Sequence, residues 1–234
     1  MSASHGPGLT FGVAAEAYER GRPEWPLGLL DAVPVPPGSE VLDLGAGTGK
    51  LTRLLATRHR VVAVEPDPAM RVLISGAEAL PGTAEAIPLG DDSVDAVFAA
   101  EAFHWFDAPR ALVEIVRVLR PRGFVVLVWN HAEPAEHVLP EGVLPELPGG
   151  HPRFADWRRA FDDGPFEPLR EVRLPQEGSV SREIMLDFFA SVSPVTSLPP
   201  EERRTALERI ANALDRPTYH RRYAVVVHWT RLAT

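Results

Sequence analysis

Along residues 40–130, short and mostly apolar runs alternate with stretches of helical periodicity. Residues 40–44, 61–65, 94–100 and 124–130 read as strands, rich in Val, Leu, Ala and Phe and with too few polar positions to face water on one side. Residues 50–59 and 68–79 suit helices, and 83–86 a further short strand. Leu112, Ile115, Val116 and Leu119 fall at i, i+3, i+4 and i+7, which predicts an amphipathic helix that the turn at 121–123 ends. Strands that alternate with helices predict a parallel sheet with helices on both faces, because each parallel crossover needs an intervening element and is right-handed.

The flanks are less regular. Residues 1–8 are small and polar and read as a loose tail; 11–18 suit a short helix before Arg22-Pro23, and 26–32 another with Pro26 in its first turn. After Asn130 the stretch 131–150 holds four prolines, four glutamates and three glycines, which predicts an irregular excursion. Residues 154–161, 182–189 and 201–214 then suit helices, 169–174 an alternating strand, and 219–232 a long final strand with no helix after it.

Composition narrows the chemistry. The 234 residues, 45% of them hydrophobic, suffice for one large core, and a formal charge of −8 sets the summed field against a phosphate backbone. We therefore expect no nucleic-acid partner. The absence of cysteine excludes disulfides, thiolate zinc sites and a cysteine nucleophile. With no signal-like start and no apolar run longer than 124–129, the expectation is a cytoplasmic protein with no membrane partner. His131, Glu133, Glu136 and His137 hint at a metal site, but Pro134 breaks the helix that such spacing requires, so an exposed loop and no metal are expected.

The most informative segment is Val41-Leu-Asp-Leu-Gly-Ala-Gly-Thr-Gly49, three glycines where a strand turns into a helix. A phosphate loop would need glycine at position 44 and Ser or Thr at 51, where Leu44 and Leu51 stand despite the Gly49-Lys50 pair. The dinucleotide fingerprint wants its third glycine at position 50, and Asp43 beside the turn repels a pyrophosphate. Glu65, 20 residues beyond Gly45, ends the next strand, where a carboxylate can accept hydrogen bonds from a ribose diol. The pair selects a nucleoside that lacks phosphates and carries positive charge, a description S-adenosylmethionine meets. The plainer alternative is that GAGTG is only a tight turn and Glu65 a solvated strand end.

These motifs, followed by VVAVEPDPAM, AEAIPLGDDSVDAVFAAEAFHWFD and RVLRPRGFVVLVW, resemble in order those of class I S-adenosylmethionine-dependent methyltransferases, nearest the small-molecule branch that includes trans-aconitate methyltransferase-like proteins. The similarity runs in register over residues 18–130. It implies a single domain with a Rossmann-like, seven-stranded, mostly parallel α/β sheet whose last strand, 219–232, is antiparallel, at or near the edge and beside 124–130. Core segments would be 38–130, 168–174 and 219–232, with a helical cap from 1–37 and 131–217 closing over the crevice. It further implies that Gly45, Ala46 and Gly47 line the methionine part of the cofactor, that Asp43 and Ala100 border it, and that Glu65 holds the ribose. Pro66 and Met70 would sit beside the adenine, Ala84 and Glu85 at its edge, and Tyr18 and Arg22 would reach over the cofactor; Thr83 stands where many relatives have an acidic residue.

Methyl transfer from a sulfonium is an in-line displacement, so positioning can supply much of the catalysis. Glu101-Ala-Phe-His-Trp-Phe-Asp107 lies outside a strand carboxyl end, where ligands bind in such sheets, which makes Glu101 and His104 the catalytic candidates. His104 can take a proton from a hydroxyl or amine acceptor, or only pack; a carboxylate acceptor needs no base. The expected partner is a small-molecule methyl acceptor, and the protein a monomer or homodimer. Rival readings are a nucleic-acid methyltransferase, disfavoured by Ala100-Glu101-Ala102-Phe103 where an Asn/Asp-Pro-Pro-aromatic segment is usual, a cofactor-binding protein without turnover, and a nicotinamide oxidoreductase.

Overall fold

A computed structural model describes residues 11–132, 138–146 and 156–233. In chain order the elements are α1 (Ala15–Gly21), α2 (Leu29–Ala32), β1 (Glu40–Leu44), α3 (Lys50–Leu55), β2 (Arg60–Val64), α4 (Pro68–Arg71), β3 (Glu78–Leu80), β4 (Val94–Ala100), α5 (Ala108–Val118), β5 (Leu119–Ala132), β6 (Arg170–Ser181), α6 (Arg182–Ala190), α7 (Ser193–Thr196), α8 (Pro200–Ala213) and β7 (Thr218–Arg231). Short 3₁₀ turns occupy Phe11–Ala14, Phe103–Trp105 and Trp157–Phe161.

The sheet has seven strands in the order β3-β2-β1-β4-β5-β7-β6. β1 pairs in parallel with β2 on one side and β4 on the other, so the direction of winding reverses between β1 and β4. That reversal opens the crevice at their carboxyl ends in which doubly wound sheets bind ligands. β7 runs antiparallel: Leu232, just past its end, donates its N–H to the Gly123 carbonyl near the start of β5, and forms an antiparallel bridge to Phe166. It lies next to β5 as expected, one strand in from the edge that β6 forms.

Two compact units divide the chain. The first comprises described residues 24–131, 156–174 and 225–233, and its core gathers Leu42, Val64, Val97, Phe103, Ile115, Leu127 and Trp129. Helix α5 explains itself by sequence: Asp107 accepts the Arg110 N–H as N-cap, Pro109 sits in the first turn, and Ala111, Leu112, Ile115 and Val118 are the buried stripe. The second unit comprises described residues 11–23, 138–146 and 175–224, with Met185, Phe189, Val195, Ile210, Leu214 and Tyr219 as its core.

Several boundaries differ from expectation for local reasons. The helix expected over 68–79 stops at Arg71; Gly76 takes a left-handed φ of 86°, and residues 78–80 pair instead with β2. That pairing makes β3, and residues 83–86 close only an isolated bridge from Thr83 to Ala86. α3 ends at Leu55, short of the expected 59. β5 begins at Leu119, opposite Val94, so the 121–123 turn is an irregularity within the strand, with Arg122 at φ 64°, and does not end α5. β6 extends to Ser181, and α7 appears where no helix was expected. The tail at 1–8, the first residues of the 154–161 helix, and Glu133, Glu136 and His137 lie outside the described residues. Among those described, no helix is long and apolar enough to cross a membrane.

Ile115 is fully buried in the core stripe, whereas Val113 on the same helix is 68% exposed. Ile115→Ala should cost about 2–5 kcal/mol and Val113→Ala less than about 0.5 kcal/mol by urea unfolding. Equal losses would mean that α5 presents a different face.

Candidate active site

The crevice begins at the glycine turn. Gly45, Gly47 and Gly49 all adopt positive φ, 70°, 59° and 83°. At Gly45 a Cβ would stand 2.8 Å from the Ala102 Cβ and 3.3 Å from the Phe106 ring, so the turn admits no side chain there. The Gly45 and Ala46 N–H groups donate to the Val64 carbonyl at 2.8 and 3.1 Å, which locks the turn to the end of β2.

Glu65 completes the lock. Its Oε2 accepts the Gly47 N–H at 2.8 Å and its Oε1 the Asp67 N–H at 2.9 Å. Asp67 in turn caps α4 by accepting from Ala69 and Met70. Arg71 donates to the Glu65 and Pro66 carbonyls at 2.7 and 3.1 Å, which holds the strand end from behind. Burial pushes the Glu65 carboxyl above its usual range, and the two backbone donors offset part of the rise.

Asp43 is 1% exposed. Its Oδ2 accepts the Thr52 hydroxyl at 2.6 Å, while its Oδ1 is buried with no hydrogen-bond partner. Burial, opposed by the Thr52 bond and reinforced by the Glu65 charge, raises this carboxyl from 3.8 to about 7. Two buried carboxyl groups beside a backbone turn make surroundings that favour a cation. Lys50 does not supply it, since its ammonium pairs with Glu24.

At the end of β4, Ala100 is half-buried and Glu101 takes a φ of 52°, uncommon for a residue with a side chain. The Glu101 N–H donates to the Val128 carbonyl at 2.8 Å and its Oε1 accepts the Asn130 N–H at 2.7 Å, so this side chain ties β4 to β5. His104, on the 3₁₀ turn that follows, accepts the Trp129 indole N–H on Nδ1 at 3.2 Å. Trp129 stacks on Trp157, centroids 4.6 Å apart, and His228 meets both rings edge-on. Burial and the Arg158 cation lower His228 to about 4, which keeps it neutral.

Of the other expected cofactor residues, Met70 and Ala84 are buried, and Pro66 and Glu85 half-buried. The Glu85 Oε1 accepts the Asp107 N–H at 2.9 Å, which joins the 83–86 turn to the start of α5. Tyr18 and Arg22 belong to the other unit, where Arg22 lies over the Tyr18 ring and donates to the Ser191 hydroxyl and carbonyl.

The chain is 40% identical over 211 residues to an uncharacterized methyltransferase of Mycobacterium tuberculosis, a match that covers 88% of this chain and 86% of that one. This chain belongs to the methyltransferase family. A methyltransferase domain is matched over residues 42–127, the segment that carries the glycine turn, Glu65 and His104. An uncharacterized methyltransferase-like protein of Schizosaccharomyces pombe is 34% identical over 224 residues, 88% of each chain. Among solved structures, a putative type II methyltransferase from Anaeromyxobacter dehalogenans superposes with a TM-score of 0.59 at 27% identity, over 91% of this chain and 97% of that one. The resemblance to class I enzymes, which draw their methyl group from S-adenosylmethionine, holds in fold and in family.

The candidate site of this methyltransferase brings in contacts that sequence reasoning missed. Thr52 lies nine positions past Asp43, on the facing turn of α3, and nothing in the sequence pairs the two. Trp129 reads as one more apolar position of a buried strand, and only the packing of β4 against β5 brings its N–H to His104.

The raised Asp43 group has a pH signature. Because the folded state holds this proton more tightly than the unfolded chain, its contribution is present below about 4 and is lost as pH rises towards about 7. Glu65 acts in the same direction. Asp43→Asn should therefore gain stability relative to wild type as pH rises through that window, measured as urea midpoints without ligand. A difference that is constant with pH would place the proton elsewhere.

Proposed function

We propose that this methyltransferase moves a methyl group from S-adenosylmethionine to an ionised carboxylate of a small molecule. The observation that carries the cofactor half is the Asp43 Oδ1, a buried acceptor without a donor beside a turn that has room for no side chain at Gly45. A cationic nucleoside without phosphates fits that donor set; an anionic pyrophosphate does not. When bound, S-adenosylmethionine supplies an electrophilic methyl group on sulfur. Asp43 would hold the positive end, the glycine turn would admit the chain of the methionine part, and Glu65 would accept from the ribose with the lone pairs that Gly47 and Asp67 leave free.

His104 supports the acceptor half. An imidazole whose Nδ1 accepts a hydrogen bond carries its hydrogen on Nε2, so the second nitrogen is a donor. In that tautomer His104 has no lone pair on Nε2 for a proton from a hydroxyl or amine. It would instead donate to an acceptor that is already an anion and orient it, which is the part of the catalysis that positioning supplies. Glu101, committed through Oε1 to the Asn130 N–H, would hold the strand ends on which His104 and the glycine turn are carried.

Addition of S-adenosylhomocysteine at a hundredfold excess over its dissociation constant should stabilise the protein by about 2.7 kcal/mol, with a matching rise in Tm, and NAD should not. Glu65→Ala should weaken the nucleoside's binding about tenfold by calorimetry. No shift for the wild type at millimolar nucleoside would overturn the cofactor reading.

For the acceptor half, turnover is measured on a panel of carboxylic acids, phenols and amines. His104→Gln, which keeps an N–H donor, should retain kcat within about tenfold and raise KM; loss of the order of 10²–10⁴ in kcat would mark His104 as a general base.

A further inference from the structure

The second unit holds a pair of guanidinium groups, Arg22 and Arg221, that pair with no acid among the described residues. Arg221 on β7 lies over the Phe188 ring, its Cζ 4.4 Å from the centroid, and Arg22, just past α1, lies over the same ring at 5.2 Å. The described partners of both are neutral. Arg22 donates to the Ser191 hydroxyl and carbonyl, each at 3.0 Å, and Arg221 to the Gly21 carbonyl at 3.4 Å, beyond the usual N–H···O range. The rings of Tyr18 and Tyr223 complete the surroundings, 5.0 Å from the Arg22 and 5.8 Å from the Arg221 guanidinium carbon.

Neighbouring acids are committed elsewhere. Asp187, next to Phe188, takes both of its bonds from Arg20, at 2.7 and 3.0 Å, and Glu177 pairs with Arg222 and His220. Yet Arg221 is half-buried while Arg222 beside it is exposed. Burial lowers the Arg221 guanidinium below its usual range; Tyr223 opposes this, and the Arg22 cation adds a smaller push in the same direction as burial. Two like charges gathered on one ring, the more sheltered of them without a carboxylate partner among the described residues, make a local excess of positive charge in a chain whose formal charge is −8.

Gly21 makes the gathering possible. A Cβ there would fall 2.2 Å from the Phe188 nitrogen, so α1 meets α6 backbone to backbone, and Arg22 is set down directly on the Phe188 ring. The arrangement is thus fixed by packing and is not a chance meeting of two long side chains.

We propose that Arg221 and Arg22, framed by Phe188, Tyr18 and Tyr223, form a binding site for the carboxylate of a small organic acid. The guanidinium fork matches a carboxylate in plane and spacing, and the aromatic rings accept the apolar body of such a ligand. The inference rests on this unit alone and is independent of the methyl-transfer reading.

The test is calorimetric titration of the full chain with malonate and with benzoate at constant ionic strength, chloride serving as the balancing anion. Saturable binding is expected, weakened about tenfold or more in Arg221→Met and partly restored in Arg221→Lys, which keeps the charge without the fork. Arg222→Met, an equal change of net charge at an exposed neighbour, should bind as wild type does. Far-ultraviolet circular dichroism and Tm establish that each variant is folded. If Arg221→Met does not fold, the Arg221→Lys titration decides, and wild-type affinity there overturns the proposal. Equal binding by Arg221→Met, equal loss in Arg222→Met, or no binding beyond that of chloride overturns it too. Displacement of the acid by S-adenosylhomocysteine would assign these arginines to the cofactor and likewise overturn it.

Discussion

The Glu65 carboxylate is the interaction on which the site depends. A parallel sheet delivers the ends of β1 and β2 side by side but leaves the loops beyond them without ladder partners. One side chain at the end of β2 accepts from Gly47 in the glycine turn and from Asp67 at the start of α4, so two loops and a helix are fixed to a single buried group. The cost is a carboxyl held away from water and raised above its ordinary range. Backbone donors meet part of that cost, since hydrogen bonds to an ionised acceptor are among the stronger ones.

Asp43 adds a second carboxyl a short way off and leaves one of its oxygens without a donor. Such a pair works against the stability of the ligand-free protein, as buried groups of one sign do, and that is the form of strain expected where binding a cation will relieve it. The same logic appears with opposite sign in the other unit, where Arg22 and Arg221 share the Phe188 ring and, among the described residues, no acid pairs with either. Each unit therefore concentrates one charge where an interior would normally balance it. At the arginine pair, backbone geometry around Gly21 allows the close approach.

The orientation of His104 is governed by aromatic packing. Trp129 is 3% exposed, and its indole N–H needs an acceptor in the core; His104 Nδ1 provides it. Satisfying that one donor selects a tautomer and thereby decides whether His104 offers a lone pair or a hydrogen. Trp157 and His228 hold the indole in place from segments distant in the chain.

Much of this was legible in the residues themselves. The parallel core from residue 40 to 130, the glycine turn at 45–49 and the acidic end of β2 follow from local periodicity and glycine chemistry, because these depend on neighbours in sequence; the place of β7 beside β5 was implied by the resemblance to class I methyltransferases. What tertiary structure decided depends on neighbours in space. It cut the 68–79 helix short, since pairing with β2 satisfied the backbone of 78–80 better than another turn would. It gave Asp43 its Thr52 donor, His104 its Trp129 donor and Glu101 its Asn130 donor, and so changed a list of polar residues into groups with defined partners and directions. It also set Arg22 beside Arg221, 199 positions along the chain. Periodicity reports which face of an element is buried; only the assembled packing specifies which polar atom meets which.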